Sequence, residues 1–319
     1  MTVVVTGAAG FIGRNLVSKL SKEGYEVIAI DKELIEDKTK SVVWHRCDVT
    51  KPGKLSKFFD ANVETVYHLA GVVGVRNYLI SPRDVINVNF ESTKYIVEFA
   101  KKFDFKILFT STSEIYGKNS KIPWSEESDR VLGSTRKMRW IYSTAKSLSE
   151  HLIFAESENS GIKSVLVRLF NVYGRYQLPV NVVPRMIASL ILTNKLTIYD
   201  KGLQTRCFTY VDDAIDAMLE LTKRNINNDV FNIGSDRETS VKELAQIIVN
   251  KYGKKNVIID HVDSAKFLGE SFEDIERRVP DVSKIRQKIG WKSTTSLEDG
   301  IKETVKWYLE NENWWKPRY

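Results

Sequence analysis

The chain has 319 residues, 42% of them hydrophobic, enough to bury one large core or a core with a smaller lobe, and this excludes a disordered chain. Its formal charge of +7 comes from scattered lysines and arginines, which argues against a nucleic-acid-binding block. Cys47 and Cys207 are the only cysteines, so a disulfide framework and a metal site are not expected, and two reduced thiols are.

The first strand begins at Thr2, and no apolar run approaches the roughly 20 residues of a membrane span. A soluble, cytoplasmic protein with no membrane or nucleic-acid partner is expected.

Thr2 to Val5 is β-branched, Phe11 to Lys22 has helical apolar spacing, and Glu26 to Ile30 is again strand-like, which makes a strand-helix-strand unit. The turn inside it reads Gly7-Ala-Ala-Gly10-Phe11-Ile12-Gly13. Gly7 permits a tight turn, Gly10 lets a phosphate approach the backbone, and Gly13 lets the helix pack on the strand. The helix amino terminus then offers its N–H groups to a pyrophosphate. Asp31 follows Gly13 by 18 residues, where a carboxylate accepts bonds from ribose hydroxyls and repels a 2′-phosphate. NAD is therefore expected over NADP, although Lys32 works against that preference.

Further β-rich segments lie at Val42–Cys47, Thr65–Leu69, Lys106–Thr110 and Ser164–Arg168, with helical patterns at about 51–60, 82–102 and 140–160. The alternation implies an α/β fold with a Rossmann-type, doubly wound parallel sheet. Asp48 and Val49, and Leu69-Ala70-Gly71, fall where such a sheet borders adenine and the second ribose.

Ser111-Thr112-Ser113-Glu114 closes the strand from Lys106 at the carboxyl edge, where catalytic groups collect in open α/β sheets. Gly117 to Met138 is polar and is expected to loop over that edge. Tyr142 and Lys146 share one helix face. A tyrosine unaided titrates near 10 and is a poor base, but a nearby ammonium and a positive nicotinamide ring favour the phenolate. Such a phenolate can remove a sugar hydroxyl proton during hydride transfer, with Thr112 donating to the same oxygen and Lys146 holding the cofactor ribose.

Beyond Gly174 a helix near 184–194, strands at Leu196–Tyr199 and Phe231–Ile233, and helices near 240–252 and 297–311 suggest a smaller C-terminal α/β substrate lobe. The expected division is 1–174, with returning segments near 204–235, for the dinucleotide domain, and 175–203 with 236–319 for the substrate lobe. Loops at about 72–80, 176–184 and 262–278 should shape the pocket. Val73 to Val75 either lines a sugar pocket or packs as core, and its apolar character favours the core.

These motifs, with Asn89, Arg168-Leu-Phe-Asn171-Val-Tyr-Gly174, Gln204-Thr-Arg206-Cys-Phe-Thr-Tyr-Val-Asp212-Asp213 and Phe231-Asn-Ile-Gly234, run through nearly the whole chain. Together they resemble the extended short-chain dehydrogenase/reductase group of NAD-dependent nucleotide-sugar epimerases, dehydratases and decarboxylases. The resemblance implies NAD and a nucleotide sugar, most simply a UDP-sugar. It puts Asn171, Arg206 and Arg278 near the diphosphate, and Val182 to Arg185 near the base. It also implies a homodimer through the helices near 82–102 and 140–160.

Members of this group oxidise the sugar at C4 and differ in the fate of the resulting ketone. Ser113 stands where the dehydratases carry aspartate, so 4,6-dehydration is less expected, although the ending Trp307-Tyr-Leu-Glu-Asn-Glu-Asn-Trp-Trp is dehydratase-like. Ser-Thr-Ser-Glu114 and Arg278-Val-Pro280 look like UDP-glucuronate decarboxylases. Leu132 to Tyr142 and Phe272 to Arg278 look like a subgroup that includes UDP-glucose and UDP-glucuronate 4-epimerases.

The expectation is a UDP-glucose or UDP-glucuronate 4-epimerase, with UDP-glucuronate decarboxylation as the alternative. Thr112, Ser113, Glu114, Tyr142 and Lys146 are the expected catalytic set. A non-catalytic NAD-binding scaffold is the reading from another class, and the intact Thr112, Tyr142 and Lys146 argue against it.

Overall fold

The computed structural model describes every residue except Glu36, Lys38 and 264–274, and leaves aside the side chains of Val75 and Arg76. Phe272, and the 264–274 part of the expected pocket loop, therefore lie outside the described residues.

Thr2–Thr6 (β1), Glu26–Asp31 (β2), Val42–Arg46 (β3), Val63–His68 (β4), Lys106–Thr112 (β5) and Ser164–Leu169 (β6) join Asp229–Ile233 in one seven-stranded sheet. Every pairing in it is parallel, and the spatial order is Asp229–Ile233, β6, β5, β4, β1, β2, β3. β1, β5 and β6 are buried almost throughout, which is why they read as continuous apolar runs rather than alternating ones. Leu16, Val17 and Leu20 of the Phe11–Lys22 helix (α1) enter one buried apolar cluster against the sheet, and Ile96, Val97 and Ala100 of the Ser92–Phe103 helix enter another. The chain reverses its direction of winding between β1 and β4, and ligands of open α/β sheets bind beyond the strand ends at such a point.

Two helices depart from the expectation. The pattern at 51–60 forms only Pro52–Leu55 and a 3₁₀ turn to Phe58, because Pro52 and Gly53 start the segment and Phe59 is already extended. The pattern at 82–102 breaks into Pro82–Ile86, a π-turn at Asn87–Glu91 and Ser92–Phe103. A Val211–Lys223 helix, not expected from the sequence, packs against α1.

Thr205–Cys207 pairs with Glu238–Ser240 and Arg277–Arg278 in a small separate sheet, which brings Arg206 alongside Arg278. Lys195–Tyr199 pairs in parallel with Ile258–Val262. Val73 is 56% exposed, so the expectation that it packs as core fails: it follows the carboxyl end of β4, beyond the cover of the flanking helices. Among the described residues, no helix is long and apolar enough to cross a membrane.

Candidate active site

The dinucleotide turn is built almost wholly from backbone. Gly7 has φ +71°, and a Cβ there would lie 2.7 Å from the Ala70 nitrogen. A Cβ on Gly13 would lie 2.1 Å from the Gly7 carbonyl oxygen, so this helix can approach the strand only without a side chain. Gly10 caps α1 in extended conformation, and the half-buried Phe11 and Ile12 pack on the core behind it. Asp31 accepts a hydrogen bond from the Ala9 N–H at 2.9 Å, so it already braces the turn it was expected to serve only through ribose. Asp48 accepts bonds from the Thr50 amide and hydroxyl and pairs with Lys32 at 3.3 Å. That draws Lys32 toward Asp48. Val49 and Ala70 are buried, and Leu69 packs at the end of β4.

Asn89 sits in the π-turn, fully buried, and its amide donates to the Val72 and Val85 carbonyls at 3.0 and 2.8 Å. Its Oδ1 has no hydrogen-bond partner among the described residues. A Cβ on Gly71 would lie 2.6 Å from that oxygen and 3.6 Å from Lys146 Nζ, which places the three groups together. A buried acceptor without a donor beside a buried ammonium suits a ligand rich in hydroxyls. With the glycine turn and Asp31, these residues fit a dinucleotide laid across the sheet.

Lys146 donates to the Thr110 carbonyl at 2.8 Å and lies 4.5 Å from the Phe109 ring centroid. Burial lowers its pKa to about 7, with Glu150 working weakly against the shift. Tyr142 is also buried, and burial raises its pKa well above the usual value, with Tyr78 and Glu114 adding to the effect. Thr112 pulls the other way. In the protein alone desolvation therefore favours the neutral phenol of Tyr142, and the pKa of the neighbouring ammonium is itself lowered toward neutral pH. Tyr78, which had no signal in the sequence, stacks on Tyr142 with ring centroids 5.6 Å apart. Below them His68, bonded to Thr6 at 2.7 Å, is held neutral by burial, with a pKa lowered to about 3.

Glu114 lies between two arginines, Arg139 and Arg278, each 2.5 Å away on a different carboxylate oxygen. Burial would raise its pKa, but the two guanidinium groups outweigh it and hold it at about 2. The carboxylate stays ionised through any ordinary pH. The 3₁₀ turn Met138–Trp140, directly before the Ile141–Ser160 helix, sets Arg139 three residues ahead of Tyr142. That spacing was the available signal, and Arg139 was not among the residues expected at the site. Ser113 is buried beside Glu114 at the end of β5.

The remaining expected residues lie elsewhere. Arg278 reaches Glu114, while Arg206, paired with it in the small sheet, donates to the Thr205 and Glu276 carbonyls at 2.8 and 3.2 Å. Asn171 has φ +40° and a buried Nδ2 without a hydrogen-bond partner among the described residues. Val182 opens the Val182–Thr193 helix, and Arg185 in its first turn stacks on Tyr199 at 4.5 Å from the ring centroid.

The parallel sheet and its glycine turn together define a Rossmann-type dinucleotide-binding fold. Residues 3–234 match the NAD dependent epimerase/dehydratase family, and the chain belongs to it. NAD is the cofactor of this family. The chain is 34% identical to a UDP-N-acetyl-alpha-D-glucosaminuronate decarboxylase of Bacillus cytotoxicus, over 97% of this chain and 98% of that one. It is similar to a UDP-glucose 4-epimerase of Thermotoga maritima solved with UDP-glucose, at 28% identity and TM-score 0.85, over 98% of this chain and all of the other. It is also similar to a dTDP-glucose 4,6-dehydratase of Bacillus anthracis solved with NAD, at 25% identity and TM-score 0.87 over 100% of both chains.

Proposed function

We propose that the chain is an NAD-dependent decarboxylase of a UDP-hexuronate, of the UDP-glucuronate or UDP-N-acetylglucosaminuronate type, in place of the 4-epimerase expected from the sequence. The observation that carries this is Glu114 held ionised between Arg139 and Arg278. A lone carboxylate there would repel a uronate. Two guanidinium groups offset that repulsion and give a second carboxylate charge-assisted donors. The likeness to the Bacillus cytotoxicus decarboxylase supports the same reading.

When bound, NAD would supply a hydride acceptor for C4 of the sugar, and the resulting ketone would lie β to the carboxylate carried on C5. Burial keeps Tyr142 a phenol in the protein alone, so its phenolate would form only once the positive nicotinamide ring is beside it; it would then take the C4 hydroxyl proton while Thr112, at the end of β5, donates to the same oxygen. The β-keto acid would then lose carbon dioxide, the electrons of the broken C5–carboxyl bond passing to the C4 oxygen, where Tyr142 and Thr112 stabilise the enolate. A proton would add at C5 and the hydride held on the cofactor would return to C4 as Tyr142 gives its proton back to the oxygen, so that the net change is one carbon dioxide lost. Lys146 and Asn89 hold the cofactor ribose beside Gly71. Ser113 cannot act as the carboxylic acid that dehydration needs at this position.

Incubating the protein with NAD and each UDP-hexuronate, then weighing the products, tests this. Loss of about 44 mass units, one carbon dioxide, is expected; unchanged mass with an inverted C4 restores the epimerase, and no turnover of any UDP-sugar removes both.

We further propose a homodimer through the segments near 82–102 and 140–160, where Ile86 and Leu148 are exposed. A monomer in light scattering at micromolar concentration would exclude it.

A further inference from the structure

Ala9, in the middle of the glycine turn, is tied at both of its polar groups. Its N–H donates to Asp31 at 2.9 Å, and its carbonyl accepts from Arg14 Nε at 2.8 Å. Arg14 lies one helical turn beyond Gly10 and donates its own amide to the Gly10 carbonyl at 3.0 Å. The N–H groups that face a pyrophosphate belong to this same stretch, so the Arg14 side chain braces the anion site from behind.

The groups that hold Arg14 come from the middle and the far end of the sequence. Its guanidinium carbon lies 5.4 Å from the Trp314 ring centroid and 5.7 Å from that of Tyr176. Trp314 takes Arg318 at 5.0 Å as well. Both rings lean on Trp307, with centroids 4.9 Å away for Tyr176 and 5.2 Å for Trp314. Tyr176 has φ +65°, a conformation tyrosine rarely adopts, and the aromatic contacts offset its cost. Asn15 adds a tie, donating to the Arg175 carbonyl at 3.0 Å. The aromatic ending of the chain is thus packed onto the dinucleotide turn.

We propose that Arg14 is the positioning residue of this turn and that Trp314 and Tyr176 hold it, so that NAD affinity depends on a side chain 300 positions further along the sequence. Arg14 acts through the Ala9 carbonyl. The two rings meet edge to face with centroids 6.0 Å apart, and a guanidinium packed against both has few alternative rotamers, so the turn reaches the cofactor already shaped for it. Without the clamp, Arg14 moves into solvent and the turn must be ordered at the expense of binding.

The test is NAD titration of the cofactor-stripped protein by calorimetry. Arg14→Met and Trp314→Ala should each weaken NAD about 5- to 30-fold, the range of one charge-assisted hydrogen bond or cation–π contact. The double variant should bind no more weakly than the poorer single, because both changes break one chain of contacts. Arg14→Lys keeps the cation but loses the planar group packed on the rings, so it should bind NAD more tightly than Arg14→Met and more weakly than the parent.

NAD affinity within about 2-fold of the parent in Arg14→Met, or losses that multiply in the double variant, would overturn the proposal. If Arg14→Met does not fold, Trp314→Ala decides it alone, since Trp314 is only half-buried and the buried Trp315 is kept. No sugar nucleotide enters the measurement, so its outcome is independent of the proposed decarboxylation.

Discussion

The two ends of the cleft are made differently. At the dinucleotide end the shape comes from backbone: a left-handed glycine, a helix–strand approach closed to any Cβ, and one amide braced by Asp31. At the sugar end it comes from buried charge and hydroxyls brought together from the end of β5, the Ile141–Ser160 helix, the turn before it and Arg278. Steric closure tolerates no substitution, whatever its polarity. Electrostatic closure tolerates shape changes but not changes of charge.

The largest expected effect lies at the sugar end. Tyr142→Phe should lower turnover by about 100- to 10,000-fold, the usual worth of a positioned acid–base group, with NAD affinity unchanged. Near-parental turnover would remove Tyr142 from the chemistry. At the other end, Gly13→Ala should lower NAD affinity by about 100-fold or more and reduce the melting temperature, because its Cβ would meet the Gly7 carbonyl. Equal NAD binding by calorimetry would show that the turn yields easily, and the contrast between the two ends would go with it.

Glu114→Gln should remove decarboxylation and destabilise the fold by about 1–3 kcal/mol, since two guanidinium groups lose their shared anion. Its pKa falls from 4.5 unfolded to about 2 folded, so its stabilisation is complete above 4.5 and lost as pH falls toward 2. Acid melts of the parent should show that limb and the variant should lack it.

The smallest effect concerns Lys146, whose pKa falls from 10.5 unfolded to about 7 folded. The unfolded chain binds more protons between those values, so stability rises with pH across that window. Cofactor-free Lys146→Met should melt above the parent by a few degrees at pH 6, with the gap closing toward pH 10. A gap independent of pH would place the ammonium in water.

Much of this was legible in the sequence. β1, β5 and β6 were visible because parallel strands under two helical layers are apolar almost throughout, the remaining strands because they are rich in β-branched and aromatic residues, and α1, the Ile141–Ser160 helix and Val241–Tyr252 showed their period. Val211–Lys223 was hidden because its amino end reads as part of the Gln204 to Asp213 motif. The interruption at 87–91 was hidden because a π-turn leaves no compositional mark.

At the site, Gly7, Gly10, Gly13, Asp31, Tyr142 and Lys146 could be named because local spacing dictates their chemistry. Tyr78 and Arg14 could not, since each acquires its role from a partner distant in sequence, and Arg139 offered only its spacing from Tyr142.

The sequence by itself determined the sheet, the dinucleotide turn and the tyrosine–lysine pair, because glycine conformation and helical periodicity act over a few residues. Only the tertiary structure decided the charge state at the sugar end. Glu114 is ionised, Lys146 half discharged and Tyr142 protonated because burial and the convergence of Arg139 and Arg278 set their pKa values. Burial and long-range charge pairing are properties of the folded chain, and no local spacing encodes them.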